Sequence, residues 1–149
     1  MTALMDTLDT TGSLQDLVVA TNNLIRCAGV LVTRVTNQNQ TILANSGLRL
    51  PAKFASSTPL SHSICQHVVA MDFPLVIDDT ITHPLLQSNL AFDELRIAAY
   101  LGAPVHARSG KPVGAICALE LRQRRWSQAD IEAIKCAAKA ADDLILRLN

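Results

Sequence analysis

Aromatic side chains are scarce in this 149-residue sequence: Phe54, Phe73, Phe92, Tyr100 and Trp126 make up 3% of it. So few rings argue against the stacking platforms that bind single-stranded nucleic acid, and the core must be built from Leu, Ile, Val and Ala. Net charge is also missing. The 13 Lys+Arg and 13 Asp+Glu cancel, which excludes a chain-wide basic field for nucleic acid or an anionic membrane. No stretch approaches ~20 consecutive apolar residues, so no transmembrane helix and no membrane partner are expected. Residues 1–6 lack the basic and apolar regions of a signal peptide. The four cysteines, Cys27, Cys65, Cys117 and Cys136, form no C-x-x-C pair and no dense framework. Together these absences predict reduced thiols and a cytoplasmic location.

What is present is a composition that folds. Hydrophobic residues reach 49% and charged residues 17%, the balance of one globular domain with a single proper core. Residues 1–12 are polar and Thr-rich and read as a flexible N-terminal segment; residues 13–149 read as the domain. Ser13 opens a helix with Asp16 in the third capping slot. Apolar spacing from Leu14 to Ala28 continues it, and Gly29 is the expected left-handed stop. Residues 30–36 and 41–45 read as strands around a turn at 37–40, and residues 46–60 read as a loop. Residues 61–71 predict a short helix, residues 75–77 a buried strand, and residues 85–97 a loosely helical connection. Residues 98–107 and 113–121 are strands joined by a hairpin signal at 108–112. Ser127, with Asp130, caps a long final helix. The hairpins imply an antiparallel sheet in an α+β fold.

The ordered motifs resemble a known family. Ser63-Ile64-Cys65 is followed by Pro74-Leu75-Val76-Ile77-Asp78-Asp79 and then His83-Pro84. Tyr100-Leu101-Gly102-Ala103-Pro104 and residues 110–119 come next, and residues 122–127 precede the last helix. In order and spacing this is similar to a GAF domain, a small-molecule sensory module of signalling proteins. The resemblance implies a central antiparallel sheet with the terminal helices on one face. The connections at 61–73 and 82–97 would close a ligand pocket on the other. Gly102 and Gly114 then mark a bend or a close backbone approach.

Ser63, Cys65, Val76, Asp78, Leu86, Asn89, Phe92, Tyr100 and Cys117 are the pocket positions that the resemblance implies. Tyr100 supplies a ring and a hydroxyl, and Asn89 or Asp78 orienting hydrogen bonds. The simpler reading of Asp78-Asp79 is a cap at a strand end. No catalytic residues and no metal site are expected. His62 and His67 are five apart, off the i, i+4 spacing that stacks two ligands on one helix face. Free-methionine-sulfoxide reductases resemble the same fold and use a nucleophilic cysteine ahead of the strand at 98. Residues 82–97 contain none, so reductase activity is the weaker alternative. Bilin-binding relatives need a cysteine in the same helix, so covalent attachment is not expected. Ala91-Phe92-Asp93-Glu94 is only a partial echo of the cyclic-nucleotide signature, and no histidine is singled out as a haem ligand. The cofactor is left unassigned.

Charge is uneven along the chain despite its zero sum. Asp72, Asp78, Asp79, Asp93 and Glu94 lie in a stretch without Lys or Arg, whereas Arg96, Arg108, Lys111, Arg122, Arg124 and Arg125 face only Glu120. Solvated rims are the simpler reading; an acidic lid and a basic partner edge are the functional one. The last helix carries a main apolar stripe through Ile131, Ile134, Ala138, Ala141, Ile145 and Leu148. A second stripe runs through Ala133, Ala137, Ala140 and Leu144 and predicts a homodimer seam between terminal helices. The expected function is non-enzymatic sensing of a small, largely apolar ligand, signalled through dimerisation or a partner protein. A ligand-free association module is the alternative.

Overall fold

The computed structural model describes residues 12–146. The flexible segment expected at 1–12 therefore lies, apart from Gly12, outside the described residues. Helix α1 (Leu14–Ile25) starts where Ser13 Oγ accepts the Asp16 N–H at 3.0 Å. Its buried residues Leu14, Leu17, Val18, Thr21 and Ile25 form one helical stripe. It stops earlier than the sequence predicts. Arg26 takes the left-handed cap (φ 59°), and Asn22 Oδ1 catches the Cys27 N–H at 3.0 Å. Gly29, the expected stop, instead opens the first strand.

Six strands follow: β1 (Gly29–Val35), β2 (Asn39–Asn45), β3 (Ser57–Pro59), β4 (Leu75–Ile77), β5 (Ala99–His106) and β6 (Pro112–Glu120). They form one antiparallel sheet in the order β3-β2-β1-β6-β5-β4. The β5–β6 hairpin turns at Gly110 (φ 89°), as its sequence predicts. Two expectations change. Asn39 and Gln40 belong to β2 rather than to the turn, and residues 46–60 contain the edge strand β3, with Gln40 opposite Thr58. A three-residue strand ending in proline has too little alternation to show a period.

The two connections are helical, in pieces. A 3-10 turn at Leu60–His62 leads to helix α2 (Cys65–Met71), ended by left-handed Asp72. A second 3-10 turn at Pro84–Leu86 leads to helix α3 (Ala91–Leu95), ended by left-handed Arg96. Helix α4 (Gln128–Leu146) begins with a reciprocal capping box. Ser127 Oγ accepts the Asp130 N–H at 3.1 Å, and Asp130 Oδ2 accepts the Ser127 N–H at 3.0 Å.

The sheet buries both faces. Alternation along β5 sends Leu101, Ala103 and Val105 to one core, built with α1 and α4, and Tyr100 to another, built with α2, α3 and the loops. The layering is the one the family resemblance implies. Two glycines permit it. A Cβ on Gly114 would stand 1.8 Å from Thr33 O of the neighbouring strand, and a Cβ on Gly102 would stand 2.4 Å from Tyr100 Oη. The first lets β6 press against β1; the second leaves the surface on which the Tyr100 ring lies.

The second stripe of α4 lies inside the fold. Ala133, Ala137, Ala140 and Leu144 are all buried within the single chain, with Ala137 at 0% exposure. Small residues let α4 approach α1 and the sheet closely, so this stripe is intramolecular core and is not available as a dimer seam.

Two substitutions test this packing. Gly114→Ala drives a methyl into the β1 backbone and should cost roughly 3 kcal/mol in urea unfolding. Ala137→Glu buries an unpaired carboxylate and should cost about 4 kcal/mol or unfold the chain. A stable, folded Ala137→Glu protein that merely sediments at a lower mass would restore the dimer seam.

Candidate ligand pocket

The second core contains the site. Its floor is the pocket-facing row of the central strands, where Cys117 of β6 stands between Leu31 of β1 and Gly102 of β5 in register. Tyr100 and Leu119 flank it. Its roof is Ile64, Cys65 and Val68, on and just before α2, and its sides come from Ile42, Leu50, Leu95 and Ile97. The cavity left between them is about 20 Å3, room for roughly one water. Side chains therefore fill the pocket almost completely.

Three sulfur and hydroxyl groups meet inside it. Tyr100 Oη donates to Cys65 Sγ at 3.0 Å, and Cys65 Sγ lies 3.8 Å from Cys117 Sγ. The Cys117 thiol and, with it, Thr33 and Tyr100 stabilise a Cys65 thiolate, lowering the Cys65 pKa against the opposing effect of burial. The side-chain interaction with Cys65 and burial push Cys117 up, and burial pushes the Tyr100 phenol well up.

A polar strip lines one side. Ser63 Oγ donates to Gln40 Oε1 at 2.6 Å, and Gln40 Nε2 donates to Thr58 Oγ1 at 3.1 Å. His62, 6% exposed, has Ser61 Oγ 2.9 Å from Nδ1 and Glu94 Oε2 2.8 Å from Nε2, and its ring rests on Phe54 at 4.7 Å. Among the described residues no buried side-chain nitrogen or oxygen lacks a partner. A separate open groove of about 380 Å3 runs over the outside of the connections, between Leu60, Gln66, His67, Leu85 and Asn89.

The structure brings some predicted positions together and separates others. Cys65, Tyr100 and Cys117 line the cavity. Ser63 is fully buried in the polar strip, and Leu86 is buried in the same core without reaching the cavity. Asn89 lines the outer groove, and its Nδ2 holds Ser63 O at 2.8 Å. Phe92 is half-buried, with the Arg96 guanidinium 5.7 Å from its ring centre, and does not line the cavity.

Two positions need correction. Val76 lies opposite Leu101, on the terminal-helix face of an edge strand, and is 40% exposed. The period of two in β4 sends Leu75 and Ile77 to the pocket side instead. Asp78 is exposed outside the pocket, where its Oδ1 accepts the Trp126 N–H at 3.2 Å. Asp79 accepts from Ile81 N and Thr82 Oγ1, so both carboxylates act as caps at the strand end. Sequence reasoning did not place Gln40, Thr58 or His62 in the pocket. Gln40 read as a turn residue, and Thr58 sat in a stretch with no strand signal.

The basic corner is tied down as well. Arg124 donates to Ile25 O and Arg26 O at the end of α1, and pairs with Glu120 at 2.9 Å and Asp130 at 3.2 Å. It also stacks over Trp126 at 4.6 Å, and Trp126 Nε1 donates to Ile77 O at 3.0 Å. One guanidinium thus joins α1, β6 and the start of α4.

Comparisons agree with this architecture. No functionally curated protein is significantly similar to the chain in sequence. The GAF domain from an Acinetobacter phosphoenolpyruvate-protein phosphotransferase superposes with a TM-score of 0.75 at 16% identity, covering 98% of this chain and 90% of that one. A free methionine-R-sulfoxide reductase from Neisseria meningitidis, in complex with its substrate, gives 0.73 at 12% identity, covering 97% and 86%. The phycocyanobilin-bound GAF domain of a cyanobacterial phytochrome gives 0.70 at 12%, covering 98% and 93%. At these identities the likeness is one of fold. The GAF domain family model matches residues 9–141. The chain belongs to the GAF domain family, a family of sensing and signalling modules.

Proposed function

We propose that the chain is a non-enzymatic sensor whose cavity between the sheet and α2 takes a small, largely apolar ligand. The observation that carries this reading is the second core: an apolar chamber with one polar strip, enclosed by short helical pieces rather than by a long helix. Leu31, Leu95, Ile97 and Leu119 offer apolar walls, and Gln40, Thr58 and His62 offer a place for one polar group of the ligand. Ligand pockets generally exceed about 300 Å3, so binding a molecule in a cavity of about 20 Å3 requires α2 and its flanking turns to move outward. Such a movement changes the floor strands that also support α1 and α4, and output then passes to a second copy or a partner protein. With the α4 stripe buried, Val19 and Leu24 of α1, each 43% exposed, are apolar surface left for association on the terminal helices.

The small cavity also favours a second reading, an association module with a filled pocket. The internal pairing of every buried polar side chain among the described residues supports it, because none awaits a ligand. Reductase activity has less support, since residues 82–97 supply no cysteine nucleophile.

A thermal-shift screen with small carboxylic acids, amides and alcohols on reduced protein separates these readings. A pocket ligand at roughly 100 times its Kd should raise the melting temperature by about 5 °C, and Gln40→Leu should shrink that shift. If no compound raises it and native mass spectrometry finds only bare protein, the association module stands instead. Turnover of free methionine sulfoxide with a thiol reductant would overturn the non-enzymatic reading.

A further inference from the structure

Cys65 and Cys117 are the two chemically reactive groups of the cavity that ligand binding does not use. They lie 52 residues apart in sequence, on the roof and the floor of one chamber, with their sulfurs 3.8 Å apart. That is van der Waals contact between thiols, and a bond requires an approach to about 2.05 Å. Both side chains border the cavity, so there is free volume beside them for the rotation that closes the gap.

We propose that Cys65 and Cys117 form a reversible oxidation site at which a small hydroperoxide, hydrogen peroxide being the simplest, converts the two thiols to a disulfide tying α2 to β6. The site stands on the placement of the two sulfurs and does not depend on a ligand in the pocket.

The chemistry assigns one role to each sulfur. Tyr100 Oη, 3.0 Å away, donates to Cys65 Sγ and favours its thiolate, while Cys117 is held as the thiol. The Cys65 sulfur attacks one peroxide oxygen, and the O–O bond breaks. The leaving hydroxide takes up the proton that the Cys65 thiol gave up on forming its thiolate and departs as water, and Cys65 becomes a sulfenic acid. The Cys117 sulfur then attacks the Cys65 sulfur, the S–O bond breaks, and the departing hydroxide leaves as water with the Cys117 proton. Two thiols and one hydrogen peroxide yield one disulfide and two waters. Tyr100 is a positioning residue here: it holds and polarises the sulfur that is oxidised.

The other two cysteines supply the contrast. Cys27 is more exposed than either, but burial raises its pKa and its Sγ donates to Asn22 Oδ1 and Gly29 O. Cys136 belongs to the core on the opposite face of the sheet. Oxidation governed by exposure alone reaches Cys27 first, whereas oxidation governed by the pair reaches Cys65 and Cys117.

The test treats the native, reduced full chain with equimolar hydrogen peroxide, alkylates remaining thiols in acid denaturant, and maps the peptides. The expected product loses about 2 Da and two of its titratable thiols, carries a Cys65–Cys117 link, and regains its mass with dithiothreitol. Cys117→Ser should instead accumulate one oxygen on Cys65, trapped by dimedone. Because that variant disturbs the core, Cys27→Ser serves as the second: it should still lose two thiols to the same link. Four intact thiols after peroxide, oxidation confined to Cys27, or a disulfide to Cys27 or Cys136 would each overturn the proposal.

Discussion

A sheet covered on both faces is the constraint on which the rest of this structure depends. The central strands β1, β6 and β5 have no solvent side, so β5 is buried from Ala99 to Val105 and β6 from Gly114 to Leu119. Apolar burial on both sides supplies most of the favourable energy available to a chain this short of aromatic rings. It also divides the interior. One core holds the terminal helices; the other is closed by short turns and two helices of seven and five residues. The covers thus differ in kind. α1 and α4 bury continuous stripes, and α2 and α3 add only a turn or two each to a roof made mostly of loops.

That asymmetry puts the shorter, less cooperative cover over the cavity. Short helices make few cooperative contacts and open at lower free energy than packed long ones. Polar groups reinforce the division. Beside the roof they tie the turn before α2 to the edge of the sheet, as Ser63 does to Gln40 of β2 and Gln40 to Thr58 of β3. At the far end of the sheet, Arg124 binds the last carbonyls of α1 and the carboxylates of Glu120 and Asp130 at once. A change in the floor strands therefore has a physical route to both terminal helices through the end of β6.

Much of this was legible in the chain. Hairpin turn chemistry, the capping residues Ser13 and Ser127 and the motif order were enough to place the α+β layers, because each is a local rule with a local signal. Gly102 and Gly114 were legible as close approaches, although not what approaches them: a phenol in one case and a strand carbonyl in the other. The candidate pocket was less legible. Cys65, Tyr100 and Cys117 followed from motif position, as the family resemblance implies. Val76 did not, because β4 is an edge strand and adjacent residues face opposite sides. Asp78 did not, because a carboxylate at a strand end is used by the nearest unpaired N–H, that of Trp126.

The sequence by itself determined the fold class, the order of the elements apart from the edge strand β3, and the exclusion of a chain-wide basic field, since these depend on composition and short-range periodicity. Only the tertiary structure decided that the Ala-rich stripe of α4 is interior, that the pocket is nearly filled, and that Cys65 meets Cys117. Each is a question of which surfaces touch across tens of residues of chain. The scarcity of aromatic rings has its counterpart there: Tyr100, buried between sheet and roof, joins the floor of the chamber to the sulfur of its lid.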